Sequence, residues 1–460
     1  MRIPFLSEAS ALRIAAVGAV LLGLLGGVLV ERKPSTAVVL CVVVAGVLAL
    51  AMLGDRAFPW AIVIVAVVPW YPFIAENAEA PIVRQKVLCA AIAAAPLAPW
   101  LWSLTLGQRR SRPSRGALLM AVLYGGMAML IYSTLGSLSK VIGSGIVGFI
   151  FAGVSFLCAR RFASGRGWPA AAFCGLVLLG LMGADAAVRA PSNRVGYFVG
   201  YPITYGALVV GLLPLALVFA YRRSRVLAAA IVAGTAAVLI LSESRSSWVA
   251  ATVVLLVTIV LQVRAGNLKA LGAATAAVAI LTVLVLGTGS LHHIVEQKLA
   301  AKQASSQSVT HRVWSYGYAV KTIGKAPFFG AGAPGFSAEQ ADNRTSIGAI
   351  DNGYLSITVD MGFVGLFAAL IPIAVALRLI ARCARLGVTP SFELALALGI
   401  LGMAVVTIFY DSFYWAQIDL LLGSMGGLLS RRVTRLGRPE PAAATDRRPA
   451  PALAGLTPAS

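Results

Sequence analysis

Apolar runs of membrane length recur along the whole chain. A helix needs about 20 predominantly apolar residues to cross a bilayer, and most of these runs reach that length. Two are weaker, because the run at 227–241 is short and the run at 58–75 contains Pro59, Pro69 and Pro72. The pattern therefore predicts an all-α polytopic membrane protein with about 12–14 transmembrane helices. The predicted spans lie near residues 11–30, 36–54, 58–75, 87–106, 116–134, 141–159, 168–188, 202–220, 227–241, 247–262, 269–287, 356–377, 391–410 and 414–430.

A long polar interval, residues 288–355, separates two of these spans. Within it, apolar residues at near-helical spacing predict an amphipathic helix over 309–325 that lies on the membrane surface. These apolar residues are Val313, Tyr316, Val320 and Ile323. The glycine-rich run 327–336 follows, and its glycines permit a backbone that approaches a ligand closely. We interpret the interval as the lid or floor of a site on one face of a membrane protein.

The chain divides at this interval. The predicted domains are an N-terminal transmembrane bundle at 1–287, a large extracytoplasmic loop at 288–355, C-terminal transmembrane helices at 356–436 and a disordered cytoplasmic tail at 437–460. The tail is predicted to be disordered because it is rich in Pro, Ala and Arg and has few large apolar residues.

Charge supports a membrane protein over a nucleic-acid-binding one. Charged residues make up 12% of the chain and hydrophobic residues 59%, whereas a soluble domain carries about 25% charged residues. The net charge of +21 comes from arginines in short loops, which set topology through the positive-inside rule. With an even number of spans, six arginine clusters fall on one side. That side is then cytoplasmic together with both termini, and the 288–355 loop is outside.

The sequence predicts neither a metal site nor a cofactor. The five cysteines are scattered in or beside apolar runs, without the spacing of a zinc site or a disulfide framework. The first apolar run, at 11–30, has no cleavage site of the signal-peptide type and is followed by further spans. We therefore interpret it as an uncleaved first helix.

Two outward stretches hold arginines. Arg194 precedes a predicted span and is surrounded by tyrosines, which are themselves typical of an interfacial aromatic belt. Residues 241–248 join two apolar runs with almost no loop, so that Glu243 and Arg245 lie at or below the outer membrane surface. Charge at that depth costs about 2.5–3.5 kcal/mol. Either the two side chains pair locally, or the arginine is retained to bind an anion, whose phosphate geometry its planar donors match.

A carboxylate closes the long loop. Asp351 lies directly before a predicted span, in the sequence Asp351-Asn352-Gly353-Tyr354. It is either the N-cap of that helix or a general base that faces an arginine-lined cavity.

Four motifs in this order resemble the O-antigen ligase and O-antigen polymerase superfamily of bacterial envelope glycosyltransferases. The resemblance covers residues 190–366. The motifs are Arg194, Gly196, Phe198 and Pro202; Ser242, Ser244, Arg245 and Trp248; Arg312, Trp314, Pro327, Phe328, Gly330 and Gly332; and Asp351 to Leu355 followed by Gly362, Gly365 and Leu366.

The resemblance implies a reaction and its participants. A glycan carried on undecaprenyl diphosphate, in the outer leaflet of the bacterial inner membrane, is transferred to an acceptor hydroxyl of a glycan or glycolipid, with no metal and no cofactor. The implied catalytic residues are Asp351, Arg245 and Arg194, and the implied substrate-binding residues are Arg84, Arg312, Trp314, Asn352 and Tyr354.

One position departs from the family pattern. The ligases carry a histidine where this chain has Asp351, and aspartate there fits polymerase-like members better, so a polymerase role is slightly favoured. His311 and Glu243 are the next candidates for the base. The competing interpretation is a transporter or flippase of a lipid-linked glycan or small substrate. That interpretation requires charge near mid-membrane, for which Asp185 and Asp419 are the candidates.

Overall fold

The computed structural model describes residues 58–67, 145–162, 165, 167–189, 194–266, 307–332, 350–386, 392–411, 413 and 415–436. Of these residues 88% are helical and none forms a strand, which confirms the all-α prediction. The helices are α1 Phe58–Val67, α2 Gly145–Phe162, α3 Trp168–Arg189, α4 Pro202–Arg223, α5 Arg225–Ser242, α6 Arg245–Arg264, α7 Gln307–Lys325, α8 Gly353–Leu386, α9 Phe392–Ile408 and α10 Ala416–Leu436.

Five of the described helices are long and apolar enough to cross a membrane: α3, α4, α5, α6 and α8. The chain is therefore a multi-pass membrane protein. The short run at 227–241 is part of a full 18-residue helix, α5. The total of 12–14 spans stays a prediction, because several of its members lie outside the described residues. These are the predicted spans at 11–30, 36–54, 87–106, 116–134 and 269–287.

Helix α4 lies at the centre of the bundle, where it packs against α3, α5 and α9. Small residues allow the close approach, since a Cβ on Gly399 of α9 would lie 2.4 Å from the Gly211 carbonyl of α4. Near the start of α4, the Thr204 hydroxyl contacts the Tyr410 hydroxyl just beyond the end of α9. The two helices are therefore antiparallel.

Helices α2 and α10 run parallel and make the most extensive helix contact of the described part. Gly148 lies against Asp419 and Gly427 against the Phe156 carbonyl, a constant offset along both helices. Both helices start near Phe413, whose carbonyl contacts Gly148. This close pairing fixes the starts of α2 and α10 at the same end of the bundle.

Most of the described arginines, though not Arg189, Arg194 and Arg245, cluster at the opposite end. Helices α4, α6, α8 and α10 all start near Tyr410, Trp415 or Ser247, and each carries arginine in or near its last turn. There Arg432 pairs with Glu393 and lies over the ring of Phe392 at the start of α9. The positive-inside rule predicts that this end is cytoplasmic and the Tyr410 end outward. The orientation of the chain in the membrane stays a prediction.

The helix predicted over 309–325 is present as α7. Tyr316 and Ile323 pack with Leu355 around a small core on α8. Val320 is 64% exposed, whereas Ala319 is fully buried. Among the described helices, α7 packs mainly on α8, so the described residues cover only part of its surface.

Candidate functional site

The turn between α5 and α6 holds the serine-rich motif. Glu243 adopts a left-handed conformation with φ of 51°, which is unique among the described non-glycine residues. The Ser242 hydroxyl donates to the Leu239 carbonyl and accepts from the Ser244 amide. The Ser244 and Ser247 hydroxyls lie 2.7 Å apart. These buried serines satisfy the hydrogen-bonding groups of one another and of the local backbone. The turn can therefore join α5 to α6 without a longer loop.

Two further contacts fix this turn against the rest of the bundle. The indole N–H of Trp248 donates to the Leu239 carbonyl at 2.7 Å. Gly206 of α4 packs on the turn so tightly that a Cβ there would lie 2.1 Å from the Ser247 hydroxyl oxygen. The motif's serines and tryptophan therefore act as scaffold for the residues between them.

Arg194 joins the same turn from the other side. Its guanidinium donates to the Glu243 carbonyl at 3.2 Å, with a longer contact of 3.4 Å to the Ser242 carbonyl. These carbonyls end α5, where a positive charge is favoured by the helix dipole. Arg194 thus caps α5 at the turn that presents Arg245. The prediction that the two arginines meet across one cavity to bind a diphosphate stays a prediction.

Arg245 differs from Arg194 in being exposed at the first residue of α6. No hydrogen bond or ion pair joins its guanidinium to any of the described residues. The alternative of a local pair between Arg245 and Glu243 therefore finds no support in the described contacts. A guanidinium on a rigid turn keeps its planar set of donors for an anion.

The stretch 194–202 leads from the α5–α6 turn to Tyr410 and Trp415 beside the last two helices. Gly196 and Gly200 have φ of 120° and 106°, a conformation that favours glycine. Gly200 packs on the Trp415 ring, and Tyr201 stacks on Tyr410 with ring centroids 5.6 Å apart. This motif therefore links the α5–α6 turn to the loop before α10.

Asp351 lies at the start of α8, but the helix is capped by its neighbour. The Asn352 side-chain oxygen accepts from the Tyr354 and Leu355 amides at 3.0 and 3.1 Å. Asn352 thus supplies the N-cap that was considered for Asp351. The Tyr354 hydroxyl donates to the Ala404 carbonyl, which docks the helix start on α9. The substrate-binding roles predicted for Asn352 and Tyr354 remain predictions alongside these structural ones.

A second carboxylate close to this helix start was missed by the sequence analysis. Asp411 is 8% exposed and accepts a hydrogen bond of 2.9 Å from the Ser356 hydroxyl of α8. The preceding residue, Tyr410, accepts from the Gly353 amide through its carbonyl. The available signal was a carboxylate within an aromatic run at 409–415 between two predicted spans.

The remaining predicted site residues are less completely described. Arg312 and Trp314 lie on α7, whereas Arg84 lies outside the described residues. Across the ranges that the structure describes, no group of three or more His, Cys, Asp or Glu side chains is arranged to hold a metal ion.

Residues 230–370 match the family model of the O-antigen ligase. The match covers less than a third of the 460 residues. It includes the α5–α6 turn, α7 and the start of α8, and it ends within α8. The predicted resemblance to the O-antigen ligase and polymerase superfamily is confirmed over this region. No curated protein matches the chain.

Proposed function

We propose that this chain, which carries an O-antigen ligase domain at residues 230–370, transfers a glycan from undecaprenyl diphosphate to an acceptor hydroxyl in surface polysaccharide synthesis. The family match supports a role of the membrane glycosyltransferase kind. The observation that carries the finer proposal is the shared outward end: Arg245 on the α5–α6 turn and Asp351 at the start of α8, bridged by residues 194–202. We place the reaction at the outer leaflet of the inner membrane.

The arginines suit the leaving group. As the glycosidic bond to the donor breaks, negative charge develops on the departing diphosphate. Preorganised donors aimed at developing charge commonly supply the largest part of catalysis. Arg245 is exposed on a rigid turn and can donate two parallel hydrogen bonds to phosphate oxygens. Arg194, whose guanidinium already holds the end of α5, adds positive charge beside it. The proposed mechanism therefore uses these cations in place of a metal ion.

Asp351 suits the acceptor. The acceptor hydroxyl oxygen forms a bond to the anomeric carbon while the bond from that carbon to the phosphate oxygen breaks. The electron pair leaves with the lipid diphosphate, and the hydroxyl proton passes to the Asp351 carboxylate. Asn352 caps the helix, so the cap does not depend on the Asp351 side chain.

We favour polymerisation slightly over transfer to a lipid A core. The ligases of the family are expected to carry histidine at the position of Asp351, and this chain departs from them there. Arg312, Trp314 and Tyr354 complete the proposed substrate-binding set, together with Asn352.

The transporter alternative loses support at both of its candidate charges. Asp185 is exposed and pairs with Arg189 one helical turn away. Asp419 lies in the first turn of α10, at the outward end of the bundle. A transporter is expected to carry charge near mid-membrane on several helices. Neither of these two carboxylates provides such a charge. A flippase would also move its substrate without forming a new glycosidic bond.

The test is glycan transfer by purified protein in liposomes supplied with a lipid-linked glycan and an acceptor glycan. Arg245→Lys retains the charge but loses the planar fork, so transfer should fall by about 100-fold, within the range for one lost donor. Arg222→Lys is the matched control, since Arg222 is an exposed arginine at the cytoplasmic end. Wild-type transfer by Arg245→Lys would refute its role. Absence of any glycosidic product with wild-type protein would refute the proposed function.

A further inference from the structure

Helix α8 is interrupted, and the long loop occupies the interruption. Gly362 has φ of 66° and ψ of −165°, which is not helical. On the outward side of this break, the Ala331 amide donates to the Val359 carbonyl at 2.7 Å. On the inward side, the Phe363 amide donates to the Pro327 carbonyl at 2.8 Å. The loop therefore supplies the backbone hydrogen bonds that a continuous helix would have made internally.

Two motif glycines make this junction sterically feasible. A Cβ on Gly330 would lie 2.4 Å from the Asp360 carbonyl carbon, and a Cβ on Gly362 would lie 2.3 Å from the Phe328 carbonyl. Both residues also have positive φ, and the Gly362 conformation belongs to a region that is essentially restricted to glycine. Because the opposing atoms are backbone, a side chain on either glycine would force the two segments apart.

The break separates an outward half-helix, 353–361, from the longer remainder of α8. The part of α8 after the break, residues 363–386, is about 36 Å long at 1.5 Å per residue, which is enough to cross the bilayer core. The outward half-helix is held separately. The Tyr316 hydroxyl of α7 donates to the Asp351 main-chain carbonyl at 3.2 Å, and Ala319 packs with Val359.

We propose that Gly330 and Gly362 are positioning residues that set the place of Asp351 relative to the arginines. The junction of the loop with α8 fixes the direction of the outward half-helix, and Asp351 lies at the start of that half-helix. The described loop segment 327–332 thus helps to set the position of the proposed base relative to the donor site. This inference rests on the proposed function for the role of Asp351, whereas the junction itself rests on the backbone contacts.

The glycine variants have a distinctive expected result. Gly330→Ala and Gly362→Ala each separate the same two backbones, so each should lower kcat by about 100-fold, the loss expected for a displacement of about 1 Å at the reacting groups. KM for the lipid-linked donor should change less than about twofold, because the arginines lie on a different turn. The double variant should be no slower than the slower single variant, since coupled sites are not additive.

Matched controls come from the same loop. Gly317 and Gly324 lie in α7, where an added Cβ would meet no described atom within 4 Å beyond the helix's own backbone, and their alanine variants should keep wild-type kcat. If a junction variant fails to accumulate in the membrane, Tyr316→Phe serves in its place. That change removes one hydrogen bond to the Asp351 carbonyl, and it should lower kcat about fivefold with KM unchanged.

A labelling experiment tests the junction without any substrate. Leu355 on the outward half-helix packs against α7, so Leu355→Cys in a cysteine-free chain should react slowly with an impermeant maleimide. The reaction should quicken at least tenfold when Gly330→Ala or Gly362→Ala is added. Unchanged labelling would overturn the junction. The positioning role would be overturned, even with labelling as expected, if the kcat losses of the two single variants multiplied in the double variant. A loss of donor binding as large as the loss of kcat would overturn it too.

Discussion

Replacing Asp351 with asparagine tests the proposed base without disturbing the fold around it. The two hydrogen bonds that cap α8 are accepted by Asn352. The hydrogen bond from Tyr316 reaches the main-chain carbonyl of Asp351, which the substitution leaves in place. Asparagine has nearly the same size as aspartate but has no useful proton affinity. The change therefore removes the proposed proton acceptor and leaves these three hydrogen bonds in place.

The expected magnitudes separate this chemistry from helix capping. A positioned general base contributes roughly 100- to 10,000-fold to a rate, so Asp351→Asn should lower kcat by that factor at unchanged stability. Asn352→Ala removes the cap and should cost about 1 kcal/mol of stability. Asn352→Asp keeps a capping oxygen but loses the amide donors. It should therefore retain stability, and a rise in substrate KM would report the binding role predicted for the amide.

The assay compares three quantities for each variant: the thermal midpoint in detergent, binding of the lipid-linked donor, and glycan transfer in liposomes. We expect Asp351→Asn to match wild type in the first two and to be nearly inactive in the third. Wild-type transfer by Asp351→Asn would refute the proposed base. Glu243 and His311 would then be the next residues to replace.

Two further outcomes follow from the arrangement of the chain. Lys321 is exposed on α7, so Lys321→Cys in a cysteine-free chain should react with an impermeant thiol reagent on intact cells, and labelling only after lysis would refute the predicted topology. Because arginines are proposed to stabilise the leaving diphosphate, transfer should persist after treatment with EDTA. Loss of activity that added Mg²⁺ restores would contradict a metal-independent reaction.

Helix positions were predictable because apolar runs fix them directly. The predicted spans at 168–188, 202–220 and 247–262 correspond to α3, α4 and α6 with end shifts of a few residues. Span length follows from the thickness of the bilayer, and this is a local property of the sequence. The hairpin between α5 and α6 was predictable for the same reason, since two apolar runs met with no room for a loop.

The contacts of the glycine-rich run could not be predicted in the same way. Its glycines indicated a close backbone approach, but the partner is the interrupted turn of α8 around Gly362. That interruption has no clear local signature, because Gly362 and Gly365 stand within a largely apolar stretch and glycine is frequent in transmembrane helices. The capping role of Asn352 in place of Asp351 likewise depends on the conformation of one turn.

Motif residues with a clear structural role can be separated from those that need a substrate to explain them. Ser244 and Ser247 build the turn before α6, Trp248 ties that turn to α5, and Gly330 opens space at the α8 junction. Each would be required in a protein with this fold whether or not it catalysed a reaction. The fold gives no comparable reason for an exposed arginine at the first position of α6, where the positive-inside rule disfavours outward positive charge. Arg245 is therefore the side chain for which an anionic substrate is the most economical explanation.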